Sequence, residues 1–134
     1  MRKIFASVLA AGVLLAASAA KPAGEPAIEF AETVHDFGTI AEDGGSVSCE
    51  FPFTNTGDAP LLIVNASASC GCTRPGYPKN PVAPGKSGKI KVTYIPKGRP
   101  GEFNKTVTVR TNIKDKDRKK VTLRITGFVS PAKK

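Results

Sequence analysis

The sequence predicts an all-β domain, a single immunoglobulin-like antiparallel β-sandwich of about seven strands. Three observations support this fold class. Short apolar runs alternate with polar residues at a period of two, clusters of Gly, Pro and Asn separate the runs, and no stretch of about ten residues carries a helical stripe of apolar side chains. The runs fill about 110 residues, which suits one sandwich. A chain of 134 residues needs no second domain.

The clearest strand pattern covers residues 47–53, where four apolar residues share one parity: Val47, Cys49, Phe51 and Phe53. In a half-buried strand such side chains face the core, so Cys49 is expected to be buried as a small apolar residue. Pro52 has no N–H to donate to a ladder, which predicts that this strand lies at a sheet edge or is bulged there.

Further strands are predicted along the rest of the chain. Residues 61–64 form a short continuous apolar run, which predicts a buried strand. Three later runs alternate, and the side chains expected to face the core are Ile90, Val92, Tyr94, Val107, Val109, Val121, Leu123 and Ile125. The intervening segments are rich in turn formers or charge, at 55–58, 83–85, 99–101 and 114–120.

The first twenty residues have the features of a secretory signal peptide. Met1–Lys3 is positively charged, residues 4–15 are an uncharged apolar run, and residues 17–19 supply the small side chains that signal peptidase reads. The run is shorter than the roughly 18–20 residues of a transmembrane helix, so we expect cleavage, export and no transmembrane anchor. The predicted organisation is a signal peptide at 1–20, a short linker at 21–26, the sandwich at 27–130 and a basic tail at 131–134.

The formal net charge of +9 is divided unevenly along the chain. Residues 21–70 hold one basic and eight acidic residues, whereas residues 71–134 hold seventeen basic and three acidic ones. One interpretation is that strands from the two halves lie side by side and pair Glu with Lys, each exposed pair contributing about 0–1 kcal/mol. The other is a basic contact surface for an acidic partner, formed by Lys86, Lys89, Lys91, Lys114, Lys116, Arg118, Lys119 and Lys120.

Export and composition limit the partner classes. Nucleic acid is not the expected partner, because an exported protein rarely meets it and no aromatic residues interleave with the basic ones. The expected partner is another envelope protein or an anionic surface polymer, bound at an exposed strand edge or at the basic loops.

Cys70-Gly71-Cys72 is the motif whose side chains could most readily take part in a reaction or bind a metal. In an extended strand, residues i and i+2 lie about 6.5–7 Å apart, at or beyond the usual Cα limit for a disulfide. Gly71 can adopt positive φ and turn the chain, which would allow a reducible Cys70–Cys72 bridge or a two-sulfur clamp for Cu(I). The structural alternatives are a disulfide between Cys49 and one member of the pair, or three reduced thiols.

No cofactor is expected apart from Cu(I) at this pair. A structural zinc site requires four ligands. Cys49 and His35 could complete such a set with Cys70 and Cys72 only if the fold brings them close. His35 is the single histidine, and Asp36 beside it points to the opposite face of a strand, so no Ser-His-Asp triad is expected. We expect a polar edge position for His35, with Phe37 anchored in the core.

An ordered set of motifs resembles the bacterial domain-of-unknown-function family 1573. The most specific are Phe51-Pro-Phe-Thr-Asn-Thr-Gly57 and Ser69-Cys-Gly-Cys-Thr73, and the resemblance runs from about Ala27 to Val129. This family is similar to the immunoglobulin-like domains of the Hydin and major sperm protein group. The resemblance implies a bacterial protein with a sandwich of seven or eight strands, and it implies no activity.

Two functional hypotheses follow. The first is an exported, non-enzymatic cell-envelope protein, periplasmic or secreted, that binds another protein or a surface polymer. The second, from a different class, is a thiol-redox or Cu(I)-binding protein that uses Cys70 and Cys72 on the same scaffold.

Overall fold

The computed structural model describes residues 24–133, so the predicted signal peptide, residues 21–23 and Lys134 lie outside the described residues. Residues 24–133 contain no helix, and hence none that could cross a membrane. Eight strands form in this part of the chain: β1 (Ile28–Phe30), β2 (Val34–Ala41), β3 (Val47–Asn55), β4 (Ile63–Ala68), β5 (Thr73–Gly76), β6 (Ser87–Tyr94), β7 (Gly101–Thr111) and β8 (Lys120–Ser130).

The strands form two four-stranded sheets that enclose one core, which confirms the predicted sandwich. Sheet A has the order β1-β3-β6-β5, and sheet B has the order β2-β8-β7-β4. One pairing differs from the antiparallel prediction, because β2 runs parallel to β8. The connection 31–33 takes the chain from sheet A to sheet B without reversing its direction. Side-chain alternation carries no information about the direction of a partner strand.

Side chains of one parity from each sheet fill the core. Cys49, Phe51 and Phe53 are buried as predicted, and the rings of Tyr94 and Phe103 stack with centroids 4.0 Å apart. Two of the residues predicted to face the core, Val47 and Val121, are only partly buried. The remaining buried apolar side chains are Leu61, Ile63, Cys72, Val82, Ile90, Val92, Val107, Val109, Ile113, Leu123, Ile125 and Val129.

The prediction that the strand containing Pro52 is an edge or bulged strand is wrong. β3 lies between β1 and β6, and its register with β6 is unbroken from Val47 to Thr54. The carbonyl of Pro52 accepts a hydrogen bond from the N–H of Ala31, just beyond β1. Because the N–H and C=O of one strand residue point the same way, the missing donor faces the end of the three-residue β1 and removes no bond to β6.

The apolar run at 61–64 is only partly a strand. β4 begins at Ile63, while Leu61 is completely buried and forms an isolated bridge with Val82. Val64 is 53% exposed. Since β4 is an edge strand of sheet B with one face in solvent, a continuous apolar run overestimates its burial.

The connections between strands gather at the two ends of the sandwich. One end, hereafter the basic end, holds the connections 56–62, 77–86 and 112–119. The opposite end, hereafter the cysteine end, holds the connections 42–46, 69–72 and 95–100. The length of the strands therefore separates the predicted basic loops from the cysteine pair.

Candidate functional site

Most of the predicted basic residues are together at the basic end. Six are exposed there: Lys86, Lys114, Lys116, Arg118, Lys119 and Lys120. Arg118 pairs with Asp115 at 3.7 Å, and the five lysines form no ion pair within residues 24–133. The connections of this end, with Lys120, hold seven cationic residues and three acidic ones, Asp58, Asp115 and Asp117, so the end keeps a net positive charge.

Lys89 and Lys91 do not belong to the basic end. Both lie on β6, where they alternate with the core-facing residues Ile90 and Val92 of the predicted strand. The ammonium of Lys89 lies 3.1 Å from the carboxylate of Glu50, and Lys91 is opposite Glu50 in the register of β3 and β6. At these two positions the structure shows acidic and basic strands side by side, which was the first interpretation of the uneven charge.

A cavity of about 510 Å³ opens at the basic end beside the edge strand β4. Three of its lining side chains are cationic, those of Arg110, Lys114 and Lys119, and none of the lining residues is acidic. The remaining lining residues are Val64, Thr111, Asn112 and Ile113. Arg110 was not among the predicted site residues, because its position on β7 is visible only once the strands are paired.

The 112–119 connection is held in place by short-range hydrogen bonds. The hydroxyl of Thr111 donates to the carbonyl of Lys119 and accepts from the N–H of Ile113, whose side chain is 3% exposed. The Asp115 side chain accepts from the N–H of Asp117 at 2.9 Å. The buried side chain of Ile113 and these hydrogen bonds occupy the inner side of the turn. The cationic side chains of the connection therefore lie on its outer side, in solvent.

A buried amide at Asn55 organises the rest of the basic end. The Asn55 side chain is completely buried and donates to the carbonyls of Ala59 and Val82, at 2.8 and 2.9 Å. Its oxygen accepts from the N–H groups of Gly57 and Ala27, at 2.9 and 3.3 Å. Asn55 therefore joins the 56–62 and 77–86 connections, a role that the predicted turn at 55–58 does not include.

The chain contacts the sandwich before the predicted start of the domain. The carbonyls of Glu25 and Ala27 accept hydrogen bonds from Asp58 and Thr56, at 2.9 and 3.1 Å. Residue Glu25 therefore lies along the 56–62 connection, within the segment that the sequence assigned to a linker.

Cys70 and Cys72 are joined by a disulfide at the cysteine end, with Cα atoms 5.2 Å apart. Cys72 is 2% exposed, whereas Cys70 is half-buried. Gly71 does not have positive φ, so the reason predicted for the turn is wrong. The turn instead forms with a hydrogen bond from the N–H of Thr73 to the carbonyl of Cys70, at 3.1 Å.

Cys49 and His35 are not part of this site. Cys49 is a free, buried thiol on β3, and it bridges to neither member of the pair. Burial raises its pKa from 9.0 to about 11, and the neighbouring Glu50 carboxylate acts in the same direction. Within the described residues, no group of three or more His, Cys, Asp or Glu side chains is placed to hold a metal ion.

His35 lies on β2, an edge strand of sheet B, as expected. Its ring packs edge-on against that of Phe37, with centroids 4.6 Å apart, and Phe37 packs against the core. The carboxylate of Asp36 accepts a hydrogen bond from the N–H of Gly38 at 2.9 Å. Asp36 therefore shapes the bulge that shifts the register of β2 with β8.

The edge strands offer little continuous unpaired backbone. β1 has three residues, and β5 has four and includes Pro75. The longer edges, β2 and β4, each contain a register shift. Short, bulged or proline-containing edges resist the addition of a strand from another chain. The expected contact at a strand edge thus has weaker support than a contact at the basic end.

Solved structures of low sequence identity share this sandwich. A protein of unknown function from Porphyromonas gingivalis W83 matches at 14% identity and a TM-score of 0.65, covering 77% of this chain and 46% of that one. A PapD-like domain of human CEP192 matches at 16% identity and a TM-score of 0.62, covering 81% and 89%. The periplasmic chaperone SfaE matches at 15% identity and a TM-score of 0.52, covering 79% and 58%. At these identities the matches show the fold alone, which is an immunoglobulin-like β-sandwich.

The family of the chain is given by a match between its sequence and a family model. The model of the family described as a protein of unknown function, DUF1573, matches residues 28–129. The chain belongs to this family, which confirms the resemblance drawn from its motifs. No curated protein matches the chain, and the chain spans less than half the length of the Porphyromonas protein.

Proposed function

We propose that this chain is an exported, non-enzymatic binding module of the bacterial cell envelope that binds an anionic surface polymer at the basic end. The observation that carries the proposal is the cavity of about 510 Å³ lined by Arg110, Lys114 and Lys119 without an acidic side chain. Lys86 and Lys116, which form no ion pair within residues 24–133, add positive charge at the same end. Uncompensated charge of one sign attracts and retains ligands of the other.

An anionic polymer fits this surface better than a folded protein does. Protein interfaces are depleted in lysine and enriched in aromatic residues, whereas the positive charge here is carried mainly by exposed lysines. Of the exposed large apolar side chains, only Val64 lines the cavity. Phosphates or carboxylates repeated along a flexible polymer can engage several cations at once. An acidic envelope protein is the alternative partner, and the chaperone SfaE shares the fold.

Export is supported by the signal-peptide pattern at 1–20 and by the periplasmic chaperone among the proteins of the same fold. The carboxylate of Asp36 accepts a hydrogen bond from the N–H of Gly38, which gives no support to a catalytic pair of His35 and Asp36. Identification of the first residue of the exported chain tests whether the predicted signal peptide is cleaved. A chain that begins near Lys21 is expected, and one that retains Met1 would contradict it.

Titration calorimetry with poly(glycerol phosphate) and polyglutamate tests the binding proposal. We expect both to bind, with an affinity that falls as salt screens the charges. The triple variant Arg110→Ala, Lys114→Ala, Lys119→Ala should lose about tenfold in affinity, because each exposed pair contributes about 0–1 kcal/mol. The matched control, Arg74→Ala, Lys89→Ala, Lys91→Ala, also removes three exposed cations, from β5 and β6, and should bind like the wild type.

Two results would contradict this proposal. Equal losses in the two variants would show that only overall charge matters, and an absence of binding to either polymer would remove the polymer as partner. If an acidic protein segment binds and neither polymer does, the partner of the basic end is a protein.

A further inference from the structure

The cysteine end holds a disulfide that the proposed binding role does not use. Around it, the N–H groups of Ser69, Thr73 and Ile95 each donate to a backbone carbonyl, at 3.0, 3.1 and 2.8 Å. The last two of these bonds are accepted by the carbonyls of Cys70 and Cys72 themselves. None of the three involves a sulfur atom. These backbone hydrogen bonds therefore do not depend on the bond between the two sulfur atoms.

The disulfide also constrains the chain very little. It closes a loop between residues only two positions apart in sequence. In the chain-entropy account, a disulfide stabilises a fold by restricting the unfolded chain, and the effect grows with the length of the loop. A bridge this short adds less to stability than one between distant strands would. Its opening and closing are thus compatible with one folded state.

The two sulfur atoms have different surroundings. Cys72 is 2% exposed, and its sulfur lies 3.6 Å from the hydroxyl oxygen of Thr73. Cys70 is half-buried, and a Cβ added at Gly71 would meet no atom within 4 Å, so the turn is open on that side. An incoming thiolate therefore reaches the sulfur of Cys70 first.

The backbone favours a thiolate at Cys70. The N–H of Cys72 donates to the sulfur of Cys70 at 3.1 Å. A hydrogen bond to the charged form of a group favours that form, and a stabilised thiolate is the better leaving group in an exchange reaction. Exposure and hydrogen bonding thus assign the same sulfur, that of Cys70, to the intermolecular step.

We propose that Cys70–Cys72 is a thiol–disulfide exchange site for a dithiol partner, with Cys70 forming the mixed disulfide. A partner thiolate attacks Cys70 Sγ; the Cys70–Cys72 bond breaks, and Cys72 Sγ takes the electron pair and then a proton. The second partner thiolate attacks the partner's own sulfur in the mixed disulfide, and Cys70 leaves as a thiolate. The partner's two thiols are oxidised to a disulfide, and this chain's disulfide is reduced to two thiols.

This site goes beyond the proposed binding function and does not depend on it, since it uses residues at the opposite end of the sandwich. The chain acts as a stoichiometric reactant, oxidising one dithiol for each disulfide that it carries. In the reverse direction, the reduced chain attacks a partner disulfide through Cys70 by the same steps.

The test uses a peptide with two cysteines. The wild-type chain, mixed with the reduced peptide, should gain alkylatable thiols at Cys70 and Cys72 as the peptide loses two, and it should keep a cooperative melting transition. Mixed with the oxidised peptide, Cys72→Ser should accumulate an adduct at Cys70 about tenfold faster than Cys70→Ser does at Cys72. The double variant, which retains only the buried Cys49, should form no adduct.

Several outcomes would overturn the inference. A disulfide that stays closed in excess dithiol while the chain is folded would be structural, and so would one whose reduction unfolds the chain. Equal trapping by the two single variants would remove the assigned role of Cys70. A reduced pair that takes up one Cu(I) and exchanges with no disulfide would make the motif a metal clamp.

Discussion

At the scale of single residues, Asn55 illustrates what sequence patterns do not show. The Asn-Thr-Gly-Asp run at 55–58 predicts a turn from its composition. The amide's partners, however, include Ala27 and Val82, each more than twenty positions away along the chain. A network of this kind depends on which strands are neighbours, and neither periodicity nor turn composition contains that information.

Asn55→Asp tests the role of this amide. The substitution keeps the size of the side chain but replaces its NH₂ donor with an acceptor that faces the carbonyls of Ala59 and Val82. We expect urea unfolding to show a loss of about 2–4 kcal/mol, because a buried polar group would lose its partners. Asn80→Asp, at an exposed position, is the matched control and should change stability by less than about 0.5 kcal/mol. Equal midpoints for Asn55→Asp and the wild type would contradict the assigned role.

The buried thiol of Cys49 predicts a pH dependence of stability. Its pKa is raised by burial from 9.0 to about 11, so the folded chain keeps a proton that the unfolded chain releases near 9. The free energy of unfolding should therefore fall as pH rises from about 9 to about 11. Cys49→Ala should show a shallower fall over this window, measured by urea unfolding at each pH. Tyr94, whose pKa burial also raises, is common to both chains, so identical slopes would contradict the prediction.

At the scale of elements, alternation correctly predicted the inner faces of β3, β6, β7 and β8, since period-two burial is a local property of a strand. It misjudged Pro52, whose effect depends on the length of the neighbouring β1. It also gave no sign that β2 pairs in parallel with β8, because this pairing results from how the chain changes sheets.

Gly127→Ala tests the packing of β8 between β2 and β7. A Cβ at Gly127 would lie 2.7 Å from ring atoms of Phe103 and 2.9 Å from the carbonyl oxygen of Gly38. We expect this variant to lose about 1–3 kcal/mol of stability in urea unfolding, because the core must shift to admit the methyl group. Gly71→Ala, where the Cβ meets open space, is the control and should unfold close to the wild type. Similar losses in both variants would contradict this account of the packing.

At the scale of the whole molecule, the uneven charge of the sequence has two different outcomes in the fold. On β3 and β6 opposite charges meet, as at Glu50 and Lys89. At the basic end the connections bring cations together, and of the basic residues predicted there only Arg118 forms an ion pair within the described residues, with Asp115. The sequence could predict which loops are basic but not that they share one end, since only the order of strands in the sheets decides this.

Binding of a polyanion at the basic end is tested most directly by a residue-resolved binding map. Poly(glycerol phosphate) is titrated into isotopically labelled chain, and the amide NMR signals that move are assigned. We predict that they cluster at Lys86 and at residues 110–120, and that the cluster fades as salt is raised. Signals that move instead along the edges of β2 and β4, or around Cys70 and Cys72, would contradict the claim.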